Sequence, residues 1–473
     1  MKRAWPLKIA CAATTFTGAA LAAPSLAAAH GLVGREDLPL PQWLFAWAAA
    51  AVLVASFFGL AAGWTKPQLQ DPIGRKIVRI PEPVQMLLGA VGIAIFAVVV
   101  YAGFAGAQVD TANLAPTVVF VYFWVVVPVL SVLFGDLFQY FSPWRAVSRG
   151  GGWLASKIAG DSLPRPMQYP ARLGRWPAVL GIVGFAWLEL VCPDRGDPSL
   201  IATLALLYFA LQVLGACLYG ERAWTQNADA FGGLFALIGR LSPLDWDDGR
   251  LAVRRPLSGV TTMATGAGAV ALLCALIGST TYDGFSQGSV WLSLLPRLQD
   301  AFQAIGFGAS AALQMAGTVG LLACIGIVYG LYRIGIDGVK TVARGRTADE
   351  LSKQFAHTLL PIGVAYLVAH YLSLVAFQGQ AIAFLISDPL GQGDDLLGTA
   401  SRAIDYAWLS TNWIWYLQVG ALLSGHIAGL VLAHDRALAL FDDQRVATRS
   451  QYWMLAVMVC FTSLGLWLLA SSG

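Results

Sequence analysis

"VQMLLGAVGIAIFAVVVYAGFA" runs from Val84 to Ala105 and contains 22 residues without one charged side chain. A helix rises about 1.5 Å per residue, so this run would be about 33 Å long. The hydrocarbon core of a bilayer is about 30 Å thick. The stretch is therefore predicted to cross a membrane as a single helix.

Similar apolar runs recur along the whole chain. The 473 residues are 57% hydrophobic and only 12% charged, whereas soluble domains carry about 25% charged residues. We therefore predict an all-α fold class, a polytopic membrane helix bundle of about ten transmembrane helices. The predicted spans cover residues 42–63, 84–105, 115–134, 177–192, 199–219, 259–279, 309–332, 355–377, 411–433 and 452–471. The fourth span is short and opens at Pro177.

The first 29 residues have the composition of a signal peptide. Lys2, Arg3 and Lys8 precede an apolar stretch that ends in the small residues of 27–29, a pattern typical of signal cleavage. Cleavage after Ala29 is one prediction, and cleavage after Ala27 is the other. An uncleaved first helix is the alternative. The expected organisation is a signal peptide over 1–29 and a single polytopic transmembrane domain over 30–473.

The positions of lysine and arginine predict the orientation. With the mature amino terminus outside, the outer segments hold only Arg35, Arg195, Arg297 and Arg402. The leader holds three more of the 30 basic residues, so the cytoplasmic loops hold 30 − 4 − 3 = 23. This asymmetry matches the positive-inside rule. We expect a bacterial inner-membrane protein with both mature termini on the periplasmic side.

Several classes of function are disfavoured. The six cysteines have no metal-binding spacing and are predicted to be buried small hydrophobes. No basic stripe with interleaved aromatics points to nucleic acid. The long cytoplasmic loops 135–176 and 220–258 contain no P-loop, which argues against an ATP-driven pump. Their arginines are expected to contact anionic lipid headgroups, namely Arg145, Arg149, Arg254 and Arg255.

Histidines in the eighth and ninth spans are the first candidates for chemistry, because ionisable groups inside a membrane are costly. His357 and His370 lie about 20 Å apart along one helix, which Pro361 is expected to kink. One site for the four histidines of these spans, His357, His370, His426 and His434, is thereby excluded unless the helices break. We predict an outer group of His370, Tyr366, Tyr371 and Gln418, and an inner group of His357, His426 and His434. Interhelical hydrogen bonding is the alternative for each histidine, and a solvated helix end is favoured for His434.

Carboxylates form the second set of candidates. Asp283, Asp388, Asp394, Asp395 and Asp405 are expected at the outer membrane face, where Glu189 could join them. Carboxylates and histidines there could bind a divalent transition metal, zinc or copper, that activates a water molecule. Turn chemistry is the alternative, and it is the preferred interpretation of Asp394 and Asp395.

His30 adds a further metal ligand if cleavage follows Ala29, since a terminal histidine offers its amine and its imidazole to one ion. The expected metal ligands are thus His30, His370 and Asp388, and the expected catalytic residues are Asp283 and His370.

Several segments resemble a family of multi-pass bacterial membrane proteins named fenitrothion hydrolase. They are "AHGLVGREDLPLPQWLFAWAAA" (29–50), "YDGFS" (282–286), "HTLLPIGVAYLVAHYLSL" (357–374), "SDPLGQGDDLLGTA" (387–400) and "GHIAGLVLAHDRAL" (425–438). The resemblance implies hydrolysis of organophosphorus triesters, with cleavage of the P–O bond to a nitrophenol-type leaving group. It carries no assigned catalytic residues.

Chemistry is compatible with that expectation. An activated water is needed, and no GxSxG elbow for a serine nucleophile is present. The expected partners are the lipid bilayer, an apolar small-molecule substrate and a second membrane subunit. Two other functions stay open: a copper-like transition-metal transporter or chaperone, and a non-catalytic assembly subunit.

Overall fold

The protein is described by a computed structural model over residues 42–72, 74–160, 165–247, 249–343 and 345–471. Its first ten helices are α1 Gln42–Gly63, α2 Glu82–Ala105, α3 Leu114–Phe134, α4 Phe138–Phe141, α5 Pro143–Ala159, α6 Trp176–Leu190, α7 Pro198–Tyr219, α8 Glu221–Asn227, α9 Ala230–Gly239 and α10 Ala269–Ser286. The remaining helices are α11 Ser289–Ala304, α12 Ala309–Lys340, α13 Ala348–Phe355, α14 Leu359–Phe377, α15 Ile382–Leu385, α16 Thr411–Leu440, α17 Gln444–Ser450 and α18 Tyr452–Ser471. The predicted signal peptide over 1–29 lies outside the described residues.

Long apolar helices dominate the described part of the chain. Nine helical segments there are long and apolar enough to cross a membrane. The prediction of an all-α polytopic bundle is confirmed. Within α3, residues Thr117–Val126 form a π-helix, in which each turn holds more residues than an α-helical turn.

The predicted fourth span corresponds to α6, which is only 15 residues or about 22 Å long. Ser199 N, at the start of α7, donates a hydrogen bond to Gln108 Oε1 in the loop after α2, so these two loops lie side by side. Because α3 lies between them in the chain, this contact agrees with α6 running back across the bundle as the predicted fourth span. Trp176–Leu190 is shorter than the nine membrane-length segments of the described residues.

A small antiparallel sheet closes one face of the bundle. It consists of β1 Arg75–Arg79, β2 Leu244–Asp247 and β3 Arg250–Val253, in the order β1-β3-β2. Arg75 pairs with Val253 and Arg79 with Arg250. The sheet joins the loop after α1 to the loop after α9, which are separated by four crossings. The two loops therefore lie on the same face, as the ten-span topology predicts.

The predicted cytoplasmic loop 220–258 contains α9, an apolar helix of ten residues that is almost wholly buried. It is too short to cross, so it enters the bundle without changing the side of the chain. Asp229 caps its first turn by accepting a hydrogen bond from Gly232 N. The same carboxylate accepts bonds of 2.7 Å from Tyr208 Oη and Trp144 Nε1, so its burial is compensated.

Arginines in these loops bind protein groups. Arg254 is buried, forms an ion pair with Asp245 at 2.8 Å and donates to the Gly239 carbonyl at the end of α9. Arg145 forms an ion pair with Glu221, which Arg149 also approaches, and Arg255 donates to Gln68 O. The prediction of lipid contact is therefore wrong for Arg254, because the unpaired carbonyls of a buried helix end need a donor.

Asp435 fastens the loop after α1 to α16. Its carboxylate accepts hydrogen bonds from Trp64 Nε1 at 3.1 Å, Gln68 N at 2.5 Å, Leu69 N at 3.2 Å and Gln70 Nε2 at 2.6 Å. The adjacent His434 is 0% exposed and contacts Trp64 O and the Gln451 side chain. The prediction of a solvated helix end at His434 is wrong, because this loop folds over it.

Asp136, in the loop after α3, gives a pH-dependent prediction. Burial raises the pKa of its carboxyl from 3.8 to about 6, against an opposing effect of Arg145. A raised pKa in the folded state stabilises the fold at low pH, and that contribution is lost as the pH rises from about 4 through 6. We expect the free energy of unfolding of Asp136→Asn to exceed that of the parent at pH 7 by up to roughly 3 kcal/mol, so that it unfolds at a higher temperature, and to match it near pH 4.

The measurement is thermal unfolding in detergent at both pH values. Asp247→Asn, at an exposed position, is the control and should show no such difference. An equal effect of Asp136→Asn at pH 4 and pH 7 would contradict the assignment.

Candidate functional site

Asp283 and His370 form a buried pair between α10 and α14. His370 Nε2 lies 2.9 Å from Asp283 Oδ2, and each residue is 3% exposed. Asp283 lies in the last turn of α10, a helix that packs against α6, α12 and α14. The sequence predicted that this carboxylate could face a cleft at the outer membrane surface, but in the structure neighbouring helices cover it. We call Asp283 and His370 the buried dyad.

Hydrogen bonding defines the protons of the dyad. With Asp283 ionised, its carboxylate only accepts, and the shared proton is then assigned to Nε2 of His370. In a neutral ring, Nδ1 then holds a free lone pair. This buried Nδ1 has no hydrogen-bond partner among the described residues. The dyad therefore presents one basic nitrogen that is oriented by a carboxylate on the opposite side of the ring.

Two further predicted residues adjoin the dyad. The Tyr371 hydroxyl is within hydrogen-bonding range of both Asp283 and Glu189, and its ring meets the His370 ring edge-on at 4.9 Å. Glu189, in the last turn of α6, is buried and so joins this cluster from a third helix. Two carboxyl groups thus share one tyrosine beside the histidine.

Gly284 leaves a small space beside the dyad. A Cβ atom at this position would lie 3.6 Å from His370 Cε1 and 3.7 Å from Tyr366 Oη. The Tyr366 hydroxyl is buried and, like His370 Nδ1, lacks a well-formed hydrogen bond among the described residues. Buried polar atoms without partners indicate a place for water or a polar ligand atom.

The packing of α14 against α16 fixes which residues share a depth. Gly425 leaves no room for a side chain against Pro361 and Ala365, a close approach typical of membrane helices. Moving seven residues along both antiparallel helices puts Gln418 level with 368–372, which includes His370. This agrees with the predicted depth, and Gln418 is buried.

Pro361 lies in the first turn of α14, after the short 3-10 segment Ala356–Thr358. A proline is tolerated in a first turn because no intrahelical acceptor is needed for its missing N–H. The chain therefore departs from a regular α-helix at 356–358, directly before Pro361, and a bend of the helix there stays a prediction.

The inner histidines do not form one group. His357 is buried with an unpartnered Nε2, whereas His426 donates from Nδ1 to Leu422 O at 2.8 Å. His434 is bound to the loop after α1. In the described part of the chain, no three His, Cys, Asp or Glu side chains are arranged to hold a metal ion.

Asp388 stabilises its own loop. Its carboxylate accepts hydrogen bonds from Gln392 N and Gly393 N, and no described ion pair or hydrogen bond joins it to His370. Asp395 accepts from Ser387 Oγ and Ala400 N, which confirms its interpretation as turn chemistry. His30 lies outside the described residues, so its role as a ligand stays a prediction.

Trp124 is part of the site and was not predicted. It lies in the π-helical part of α3, is buried, and is within range of the Tyr371 hydroxyl. One tryptophan in an apolar run carries no signal of such a role, and the π-helix that positions it has no simple sequence pattern.

Comparison of the chain with models of known protein families, with curated proteins and with solved structures finds no match.

Proposed function

We propose that the chain is a membrane-embedded hydrolase of apolar organophosphorus triesters, with His370 as its general base. The observation that carries the proposal is the unpartnered Nδ1 of His370, held by Asp283 on the other side of the ring. A base oriented in this way contributes typically 10²–10⁴-fold to proton-transfer catalysis. The substrate class comes from the resemblance described above.

The proposed reaction begins when His370 Nδ1 takes a proton from a water molecule. The water oxygen forms a bond to phosphorus, and the P–O bond to the aryl group breaks, so that the electron pair leaves with the aryloxide. The Asp283 carboxylate stabilises the imidazolium. The imidazolium then returns its proton to the aryloxide, which releases a phenol. We assign to the Tyr366 hydroxyl, which lies beside His370 at the Gly284 position, the role of donating a hydrogen bond to the phosphoryl oxygen.

A metal ion, zinc or copper, stays a prediction for this chain. Of its expected ligands, His370 uses Nε2 for Asp283 and Asp388 binds backbone amides. These contacts do not bring the two residues together as a ligand set, and the proposed reaction uses the His370 base alone.

The proposed location is the bacterial inner membrane, with the mature amino terminus in the periplasm. The distribution of lysine and arginine supports this orientation. An apolar triester partitions into the bilayer, and in this proposal it enters from there between the transmembrane helices that cover the dyad.

The space at Gly284 supplies a test. We expect Gly284→Ala to lower kcat/KM for a nitrophenyl phosphotriester by about tenfold, because a methyl group would occupy the space beside His370 and displace the reacting atoms. The atoms nearest to the added methyl group would lie 3.6 Å away, an ordinary van der Waals distance, so the fold should be retained. The measurement is nitrophenolate release by the purified chain in lipid nanodiscs.

Gly420→Ala is the matched control, since nothing lies within 4 Å of a Cβ atom at that helical position. Both substitutions change helix propensity equally. Absence of turnover by the parent protein would overturn the proposed function. Equal turnover by the two variants would overturn the placement of the substrate at Gly284.

A further inference from the structure

A second cavity lies apart from the buried dyad. It has a volume of about 60 Å³ and is lined by residues of α10, α12, α14, α16 and α18. Its lining contains His426, Met454 and Met458 among apolar side chains. A space of this size holds one or two water molecules or a single ion.

His426, in the lining of this cavity, has one ring nitrogen free to act as a ligand. Its Nδ1 lies 2.8 Å from Leu422 O, and a carbonyl oxygen only accepts, so Nδ1 carries the proton. In the neutral ring, Nε2 is therefore the donor atom for a ligand. His426 is 1% exposed, and Nε2 has no hydrogen-bond partner among the described residues.

Two thioethers accompany the imidazole. Met454 and Met458 are four residues apart on α18, so they lie on the same helix face. Both are buried. The hydroxyl groups in the lining are already engaged, since Tyr332 donates to Ser352 O and Thr358 to Phe355 O.

We propose that this cavity is a binding site for monovalent copper, with His426, Met454 and Met458 as ligands. Thioether sulfur selects soft Cu(I), and imidazole also suits copper. The lining contains no carboxylate or cysteine, so a divalent zinc or cupric ion would leave two uncompensated charges in an apolar space. The single charge of Cu(I) makes it the best match to three neutral ligands. The site does not depend on the proposed hydrolase activity.

The test uses the full purified chain in nanodiscs under anaerobic, reducing conditions. Cu(I) is supplied as its complex with a chromogenic chelator, and transfer to the protein is followed by the loss of chelator absorbance. We expect about one equivalent at this site in the parent. The double substitution Met454→Leu and Met458→Leu should weaken binding by about tenfold or more, in the range of metal-site substitutions. Leucine replaces methionine with little change in volume, so the fold should be retained.

Met263→Leu, at a buried methionine outside this cavity, is the matched control and should bind as the parent does. His426→Ala should remove binding, and a loss of Cu–sulfur scattering in the X-ray absorption spectrum of the double Met variant would identify the thioether ligands. Unchanged Cu(I) affinity in the double variant would overturn the site. It would also be overturned if the parent bound Zn²⁺ as tightly as Cu(I) and the double variant bound no Zn²⁺. The double variant should keep the phosphotriester turnover of the parent, which separates this proposal from the hydrolase.

Discussion

His370→Ala is expected to lower kcat/KM for a nitrophenyl phosphotriester by about 10²–10⁴-fold, the typical contribution of a general base. The reason is the loss of Nδ1, the open nitrogen of the buried dyad, which no described protein group binds. Asp283→Asn should give a loss in the same direction, mainly in kcat. The amide keeps the shape of the carboxylate but lacks the charge that stabilises the imidazolium.

His357→Gln is the matched control, because His357 is an equally buried histidine with no contact to the dyad among those described. It should keep turnover within a few-fold of the parent. Nitrophenolate release is measured for all three variants at equal protein folding, checked by thermal unfolding. Full activity of His370→Ala would show that the dyad is structural.

Asp435→Ala is expected to lower the free energy of unfolding by about 3 kcal/mol or more, because several N–H donors lose their acceptor and each unsatisfied buried donor costs about 1–3 kcal/mol. Four donors from residues 64–70 converge on this one carboxylate. Without it, two backbone N–H groups and two side-chain N–H groups lose their acceptor. Chemical unfolding in mixed detergent micelles measures the difference.

Asp442→Ala is the control, since Asp442 is an exposed carboxylate just beyond the same helix. Its unfolding free energy should stay close to that of the parent. If both alanine variants unfold at the same detergent composition, Asp435 does not anchor the loop.

Uncharged runs such as Val84–Ala105 predicted the crossings because hydrocarbon tolerates little else. Because the eighth and ninth spans run antiparallel, the sequence also predicted that His370 and Gln418 lie at the same depth in the membrane. The contact between Asp283 and His370 could not be predicted, because it depends on which helices are neighbours in space. The sequence identified both residues as candidates, but it did not predict that they are buried.

Charged residues near helix ends were the least predictable feature. Asp435 and Arg254 follow the usual pattern of solvated positions, yet Asp435 binds a loop from a distant part of the chain and Arg254 binds the end of α9. The five residues of β1 do not alternate between a buried and an exposed face, because all five are exposed. They form a strand only by pairing with β3. Such pairings are tertiary in origin, so local sequence patterns do not reveal them.

The bond between Trp64 and Asp435 joins residues 371 positions apart in the chain, which has a consequence for biogenesis. The first helix enters the membrane early in synthesis, but the acceptor for its following loop emerges only with the helix before the last crossing. Until then, the donors of residues 64–70 depend on water or on a chaperone. Nascent chains truncated before Asp435 should therefore be protease-sensitive in this loop, and those that extend beyond α16 should be protected.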